Sequence, residues 1–242
     1  TAFQLLDWGD RMRFEIIDTP GIELNLPVAG VLTKDNLIYR AASSLELPED
    51  RGVAISIEKV IPMGGGLGGG SSNAAVTLLA LNDLFELGHS VDELAIKGAA
   101  LGADVPVFVR GTSAWAEGIG DELMPLELPA RWFVIIYPDC HVSTQEIFGA
   151  PELTRNTPPI TVSAFFEGLV RNDLQPVVES RYEQVSAAIK WLSDHGSAMM
   201  TGSGACVFAG FPSQAEAELV ANAAKSEFSV FVARGMNRFT VV

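Results

Sequence analysis

The sequence predicts an α+β protein of two domains, each built from a mostly antiparallel sheet packed with helices. Two observations carry this prediction. Strand-like and helix-like segments are mixed through both halves of the 242-residue chain, and a proline-containing stretch, residues 124–129, lies between the halves. We therefore assign residues 1–128 to the first domain and residues 129–242 to the second. The chain is long enough for two small cores.

The elements of the first half follow from periodicity and capping residues. Alternating or β-rich apolar patterns predict four strands, over residues 11–18, 53–61, 105–109 and 113–117. Three helices are predicted over residues 36–42, 73–87 and 90–101. Asp35 or Asn36 lies near the cap of the first helix, and Gly88 ends the second. The third opens with the capping box at residues 90–93.

The second half repeats the mixture of strands and helices. Apolar runs predict strands over residues 131–137 and 228–233, and a third strand follows a glycine turn near residue 204. A polar loop covers residues 151–159. Helical patterning runs over residues 163–193, with a break near Pro176 and an end at Gly196, and a last helix over 213–225 is capped by Ser213.

Composition excludes several classes of function. The formal net charge of −14 argues against nucleic-acid binding, which requires a basic surface. No apolar run approaches the roughly 20 residues of a membrane span, and no secretory leader opens the chain, so we expect no membrane partner and a cytoplasmic location. Cys140 and Cys206 are predicted to be buried small hydrophobes. His89, His141 and His195 are far apart and predict surface or cap positions and no metal site.

The most informative segment is a glycine-rich loop between a predicted strand and a predicted helix. Its residues are Pro62, Met63, Gly64, Gly65, Gly66, Leu67, Gly68, Gly69, Gly70, Ser71 and Ser72. Glycines let a bulky anion approach the backbone, and the free N–H groups of the first helical turn attract that anion. A flexible linker is disfavoured because both neighbours are strongly patterned. The loop therefore predicts phosphate binding.

This loop differs from the common phosphate-binding loop, in which a lysine precedes a serine or threonine. No lysine stands before Ser71 or Ser72, and no early series of parallel strands and helices indicates a dinucleotide-binding fold. The positive charge that balances the phosphates must come from Mg²⁺ or from a lysine elsewhere, for which Lys59 is one candidate.

Two further segments have residues that suit chemistry. Asp104 is predicted to lie between the end of a helix and a buried strand, where the helix dipole does not stabilise a carboxylate and its pKa is raised. It is either a capping or turn residue, or a base that accepts the proton of an attacking hydroxyl.

The turn Thr201, Gly202, Ser203 and Gly204 is either a second anion-binding nest or the close of a hairpin.

Residues 62–72, 102–108 and 201–208 together resemble the superfamily of galactokinases, homoserine kinases, mevalonate kinases and phosphomevalonate kinases. Within it, the tripled glycine block and the segment 102–108 are similar to the kinases of 4-diphosphocytidyl-2-C-methyl-D-erythritol, and the similarity spans nearly the whole chain. The resemblance implies a nucleotide-binding first domain. It also implies phosphorylation of the 2-hydroxyl of that small molecule in non-mevalonate isoprenoid precursor synthesis, with ATP and Mg²⁺.

The resemblance implies a role for each matched position. The loop would wrap the phosphates of ATP with Ser71 or Ser72 near Mg²⁺, and Asp104 would take or orient the proton of the substrate hydroxyl. The adenosine side would be lined by Asn36, Leu37, Lys59, Met63 and Asn73. Phe148 would stack on the cytosine unless it is a core residue, and Thr144 would lie near the diphosphate unless it is a helix cap. The acceptor side would be supported by Thr201, Gly202, Ser203 and Gly204.

The sequence departs from the family at its beginning. The family opens with a strand that carries Pro-Ala-Lys-x-Asn and then a Gly-Tyr-His turn, and neither is present here. We therefore expect a kinase that lacks its first strand. Two alternatives stay open: a kinase of the same superfamily with homoserine, mevalonate or a sugar as acceptor, and an inactive nucleotide-binding fragment.

Overall fold

The computed structural model describes residues 1–25, 33–118, 120 and 122–240. The strands of these residues are β1 Ala2–Phe3, β2 Leu5–Leu6, β3 Arg11–Ile17, β4 Gly21–Asn25, β5 Gly52–Glu58, β6 Ala114–Glu117, β7 Glu122–Pro125, β8 Trp132–Tyr137, β9 Met199–Met200, β10 Val207–Phe211 and β11 Ser229–Met236. The helices are α1 Leu37–Ser43, α2 Gly69–Leu84, α3 Val91–Ala99, α4 Val105–Arg110, α5 Thr144–Phe148, α6 Val162–Phe166, α7 Gln175–Arg181, α8 Glu183–Ser193 and α9 Gln214–Ala224. In the described part of the chain, no helix combines the length and the apolar character needed to cross a membrane.

The first half is built around the sheet β3-β5-β4. Strand β3 runs antiparallel to β5, with Arg11 opposite Glu58 and Ile17 opposite Gly52, while β4 runs parallel to β5. The buried face of β5 packs with the apolar sides of α1, α2 and α3 into one core. The end of β5 therefore leads directly into the glycine-rich loop and α2.

The second half is built around the sheet β2-β11-β8-β10-β9, which is antiparallel throughout. Helices α7, α8 and α9 cover one face and form the second core. Strand β2 comes from the start of the chain, so residues 1–128 also contribute to this sheet, with Leu6 opposite Gly235. The α+β architecture is confirmed. The boundary at residue 128 falls between β7 and β8 and stays a prediction.

One predicted strand is wrong. Residues 105–109 form helix α4, although their β-branched and apolar side chains favour a strand. Pro106 lies in the first turn, which its fixed φ angle suits, and Gly111 closes the helix with a positive φ of 61°. Because α4 packs against both α2 and α3, it is buried on several sides and lacks the apolar period of three to four residues that would have revealed a helix.

The helical stretch 163–193 also differs from its prediction. The break in the helical stretch lies at residues 167–174, between α6 and α7. It is not at Pro176, which lies in the first turn of α7. A proline in the first turn costs no hydrogen bond because the first N–H groups have no helical partner. Three predicted caps are confirmed, namely Asn36, Ser90 with its capping box, and Ser213.

The side chain of Ser113 joins the beginning and the end of the chain. It is 1% exposed, accepts a hydrogen bond from the Leu5 N–H at 3.0 Å and donates one to the Met236 carbonyl at 2.9 Å. We expect Ser113→Ala to lower the free energy of unfolding by about 1–3 kcal/mol, because it leaves a buried N–H without a partner. Urea unfolding measures this. The exposed Ser226→Ala variant is the control, and equal midpoints for the two variants would contradict the prediction.

Candidate active site

The glycine-rich loop has the backbone shape of an anion-binding nest. Gly64, Gly66 and Gly68 have φ angles of 69°, 70° and 68°, whereas Gly65 and Leu67 between them have no positive φ. Such alternation turns successive N–H groups toward one side of the chain. Helix α2 begins at Gly69, earlier than predicted, so its first turn lies inside the loop and its unpaired N–H groups extend the nest.

Three consecutive carbonyl groups of this loop are held by the turn that follows β9. The Ala205 N–H donates to the Gly64 carbonyl at 3.2 Å, and the Cys206 N–H donates to the Gly65 carbonyl at 3.0 Å. The Thr201 hydroxyl donates to the Gly66 carbonyl at 2.5 Å. In a trans peptide the C=O and the following N–H point in opposite directions. The next three N–H groups of the loop therefore point away from this turn.

The base of the loop is held by Asp10, a residue that the sequence analysis missed. Its carboxylate is 1% exposed and accepts hydrogen bonds from Lys59 Nζ at 2.5 Å and Asn73 Nδ2 at 2.8 Å. It also accepts the N–H groups of Val60 and Ile61, at 2.7 and 2.8 Å. Asp10 thus joins the start of β3, the chain after β5 and helix α2. No local pattern marks it, because its partners lie 49 to 63 residues away.

Burial alone would raise the pKa of the Asp10 carboxyl, but its hydrogen bonds from Lys59, Ile61, Val60 and Asn73 outweigh burial and lower it. The carboxylate therefore stays ionised in the folded protein. It also sets the position of Lys59, the predicted source of positive charge: a Cβ added to Gly69 would lie 3.5 Å from the ammonium nitrogen. The ammonium thus lies at the start of α2, already paired with one carboxylate.

The other residues predicted for the adenosine side lie around the same helix end. Leu37 contacts Gly70, since a Cβ added there would lie 3.4 Å from Leu37 Cδ1. Asn36 uses its side-chain oxygen to cap α1 by accepting the Ile38 N–H at 2.8 Å. Met63 is 56% exposed at the entrance of the loop. The structure therefore brings Leu37, Lys59 and Asn73 together around α2.

Asp104 lies at the N-terminal end of α4, not before a strand. It occupies the N-cap position, but its carboxylate makes no capping hydrogen bond, which contradicts the capping half of the capping-or-turn alternative and leaves the turn half open. The predicted rise of its pKa is confirmed, but the cause is burial, not a helix C-terminus. Helix α4 also places Asp104 beside the loop, because the Phe108 ring lies 2.9 Å from where a Cβ on Gly68 would be.

Ser71 faces the segment that leads to Asp104. A Cβ added to Gly102 would lie 3.8 Å from Ser71 Oγ, and the Val105 N–H closes the turn onto the Gly102 carbonyl at 3.1 Å. The first turn of α2 therefore lies next to residue 102, two positions before Asp104.

The predicted substrate residues are also brought together. Thr144 Oγ1 lies 2.7 Å from Ser203 Oγ, and the cap of α5 is Ser143, so the alternative of Thr144 as a helix cap is wrong. Phe148 is 53% exposed at the end of α5, which excludes the core alternative. Arg155 Nη2 donates to the Phe148 carbonyl at 2.5 Å and holds this end of the helix.

Cys206 and His141, to which the sequence analysis assigned no chemical role, line the glycine-rich loop. Cys206 is buried, and its Sγ lies 2.8 Å from where a Cβ on Gly65 would be; burial, with Cys140 nearby, raises the pKa of its thiol to about 12. Cys140 is only partly buried, and both cysteines are free. His141 is exposed as predicted, and its Nδ1 lies 2.5 Å from a Cβ position on Gly64.

Comparison with known proteins agrees with this geometry. The models of the N-terminal and C-terminal domains of GHMP kinases match residues 36–112 and 161–230. A homoserine kinase from Cytophaga hutchinsonii shares the fold, with a TM-score of 0.68 at 19% identity over 96% of this chain and 88% of that one. Fold and loop thus define a GHMP kinase.

More similar relatives identify the branch of these kinases. The 4-diphosphocytidyl-2-C-methyl-D-erythritol kinase of Marinobacter nauticus is 48% identical over 98% of this chain and 85% of its own length. That of Pseudomonas fluorescens is 50% identical, over 98% and 84%. A crystal structure of 4-(cytidine 5'-diphospho)-2C-methyl-D-erythritol kinase superposes with a TM-score of 0.84 at 31% identity, over 97% of this chain and 88% of that one. The chain belongs to the 4-diphosphocytidyl-2-C-methyl-D-erythritol kinase family, which confirms the predicted resemblance.

We expect Asp10→Asn to lower the free energy of unfolding at pH 7 by about 3–5 kcal/mol, because it removes the charge from a buried ion pair and turns an amide toward the donors. Urea unfolding measures this loss. Asp50→Asn is the control, since the Asp50 side chain is 80% exposed. A loss of stability no larger than that of Asp50→Asn would contradict the stabilising role of the Asp10 carboxylate.

The pH dependence of the same variant gives a second readout. Asp10 has a lowered pKa in the folded state, so its contribution is complete above the ordinary pKa of 3.8 and is lost as the pH falls through the folded value. The difference between wild type and Asp10→Asn should therefore shrink below pH 3.8 and stay constant from pH 5 to 7. A difference that persists undiminished in acid would show that the ionised carboxylate is not its source.

Proposed function

We propose that this protein transfers the γ-phosphoryl group of ATP to the 2-hydroxyl of 4-diphosphocytidyl-2-C-methyl-D-erythritol, in the non-mevalonate route to isoprenoid precursors. The observation that carries the proposal is the nest of alternating positive-φ glycines that continues into the first turn of α2. The segment that leads to the partly buried Asp104 packs near this turn, since a Cβ on Gly102 would lie 3.8 Å from Ser71 Oγ. Two relatives named 4-diphosphocytidyl-2-C-methyl-D-erythritol kinase, 48% and 50% identical over 98% of this chain, support the substrate.

On the donor side, the chain binds phosphate through its backbone. The N–H groups of the loop and of the first turn of α2 donate to phosphate oxygens, and the helix dipole adds to the attraction. These donors are preorganised because the carbonyls of Gly64, Gly65 and Gly66 are already held by the opposite turn. Positioning and charge neutralisation are most of what phosphoryl transfer requires of a protein.

We also propose that Mg²⁺ binds with ATP at the nest. The hydroxyls of Ser71 and Ser72, in the first turn of α2, are oxygen ligands of the kind that Mg²⁺ takes. Among the described residues no group of three His, Cys, Asp or Glu side chains could hold a metal ion. Phosphate oxygens would therefore complete the coordination, and the ion would neutralise charge on the transferring group.

On the acceptor side, Asp104 is the base. It is partly buried, and burial raises its pKa, which brings a carboxylate closer to the range in which a proton can be accepted and released. The carboxylate takes the proton of the attacking hydroxyl or orients it toward the phosphate. Since no capping hydrogen bond occupies it, the carboxylate is available for that contact.

The exposed ring of Phe148 recognises the substrate. A flat aromatic surface at the end of α5 suits a pyrimidine, and the neighbouring pair Thr144 and Ser203 offers hydroxyl donors to a diphosphate. Homoserine, mevalonate and sugars have no pyrimidine, so the exposure of Phe148 disfavours them as acceptors. We place the reaction in the cytoplasm, with a small molecule as the partner and with neither nucleic acid nor membrane.

The first experiment is ADP release from ATP and Mg²⁺ in the presence of 4-diphosphocytidyl-2-C-methyl-D-erythritol, with the full-length protein. We expect turnover with this acceptor and a fall in kcat of at least about 100-fold in Asp104→Asn, because general-base catalysis contributes about 10²–10⁴-fold. Asp92→Asn, an exposed carboxylate on α3, is the control. Turnover with homoserine or mevalonate instead would refute the substrate, and full activity of Asp104→Asn would refute the base.

A second prediction concerns the aromatic contact. We expect Phe148→Leu to raise the KM for the cytidyl substrate about tenfold while the KM for ATP stays unchanged, because base–aromatic stacking contributes about 1–3 kcal/mol. Phe166→Leu is a matched control, since Phe166 is also the last residue of a short helix and is 49% exposed. Equal KM values for the two variants would exclude stacking at this position.

A further inference from the structure

Asn172 lies between α6 and α7, outside the phosphate loop and the substrate residues. Its side-chain amide nitrogen donates to two carbonyl groups, that of Met200 at 2.9 Å and that of Gly202 at 2.7 Å. Its side-chain oxygen accepts the N–H of Leu174 at 3.0 Å. Both sides of the amide are therefore engaged with backbone, and the two carbonyls lie on either side of Thr201.

The turn that Asn172 holds is the one that holds the phosphate loop. Thr201 donates its hydroxyl to the Gly66 carbonyl, and the following residues Ala205 and Cys206 donate their N–H groups to Gly64 and Gly65. Gln175 secures the same turn from the other side by accepting the Met200 N–H at 2.9 Å. Hydrogen bonds from α7 and the segment before it thus reach the phosphate loop through one intermediate turn.

This turn depends on outside support for its shape. Gly202 and Gly204 have φ angles of 51° and 93°, which side-chain-bearing residues rarely adopt, and glycine has no side chain with which to pack. Without Asn172, water can still satisfy the exposed Gly202 carbonyl, whereas the carbonyl of the buried Met200 loses its side-chain donor. The backbone bonds of Thr201 to Cys206 and Gly204 remain, so we expect a looser orientation of the Thr201 hydroxyl toward Gly66 and not unfolding of the turn.

We propose that Asn172 is a positioning residue for phosphoryl transfer, which acts through the Thr201 turn to keep the N–H groups of the phosphate loop aligned on the nucleotide. The assignment rests on the proposed function for its chemistry, but its physical content is a coupling between Asn172 and the phosphate loop. That coupling is measurable without any substrate.

The experiment compares Asn172→Ala with Asn82→Ala by amide hydrogen exchange. Asn82 is a matched control because it also binds backbone on both sides, donating to the His89 carbonyl and accepting the His89 N–H, at the far end of α2. In Asn172→Ala we expect the amides of Ala205 and Cys206 to exchange about tenfold faster or more, the factor that corresponds to losing hydrogen bonds of ordinary strength. In Asn82→Ala the same amides should keep the wild-type rate.

Nucleotide binding and kinetics complete the test. Asn172→Ala should weaken binding of a non-hydrolysable ATP analogue and raise the KM for ATP severalfold while the melting temperature changes no more than in Asn82→Ala. Asn172→Asp retains the acceptor for Leu174 but turns a carboxylate toward two carbonyls, so it should be the more severe variant. If Asn172→Ala fails to fold, Asn172→Ser takes its place in every measurement.

A double-mutant cycle with Thr201→Val identifies the route. If Asn172 acts through Thr201, the double variant binds the analogue no more weakly than Thr201→Val alone. The proposal would be overturned if the effects of the two substitutions on analogue binding multiply in the double variant. It would also be overturned if the amides of Ala205 and Cys206 exchange at the wild-type rate in Asn172→Ala. Failure of the wild-type protein to phosphorylate the cytidyl substrate would refute the proposed function instead, and the exchange experiment would still decide the role of Asn172.

Discussion

The carboxylate of Asp10 joins the start of β3, the chain after β5 and helix α2, and the glycine-rich loop lies between the last two. It accepts four hydrogen bonds, from the Lys59 ammonium, the Asn73 amide and the N–H groups of Val60 and Ile61. A buried charge is tolerable only when it is paired and its lone pairs are satisfied. These partners satisfy it, and in doing so they set the distance between the end of β5 and the start of α2. The position of the loop between these two elements depends on that distance.

The loop is held from two directions that belong to different halves of the chain. Asp10 holds its base from the first sheet, and the turn around Thr201 holds its carbonyls from the second. Because peptide groups are rigid, holding the carbonyls on one side presents the amides on the other. A nest built this way needs no lysine within the motif, which accounts for a phosphate loop without one. It also means that the two halves cannot move apart without disturbing the donor site.

Local electrostatics at the site oppose the charge of the whole protein. The net charge is −14, yet the amides of the nest, the start of α2 and the Lys59 ammonium create a small region that favours anions. Asp104 borders this region and is itself partly buried, which raises its pKa. The nest and Asp104 therefore differ in environment: one is a set of oriented backbone dipoles, and the other is a partly buried carboxylate.

What the sequence determined by itself is local. The glycine loop and the caps at Asn36, Ser90 and Ser213 follow from residues within a few positions of one another, and the structure has them where they were predicted. Strand β5 and helix α2 were also predicted, apart from their ends. Periodicity and capping act over one or two turns, so they are visible in the order of residues.

Only the tertiary structure decided the rest. Asp10 and Asn172 bind backbone and side chains 49 to 63 and 28 to 30 residues away, and no short pattern encodes such a contact. Residues 105–110 became a helix because packing against α2 and α3 outweighed their β propensity. The short strands β1, β2 and β9 exist only through their partners. The sequence thus specifies which groups are available, and long-range packing decides which of them meet.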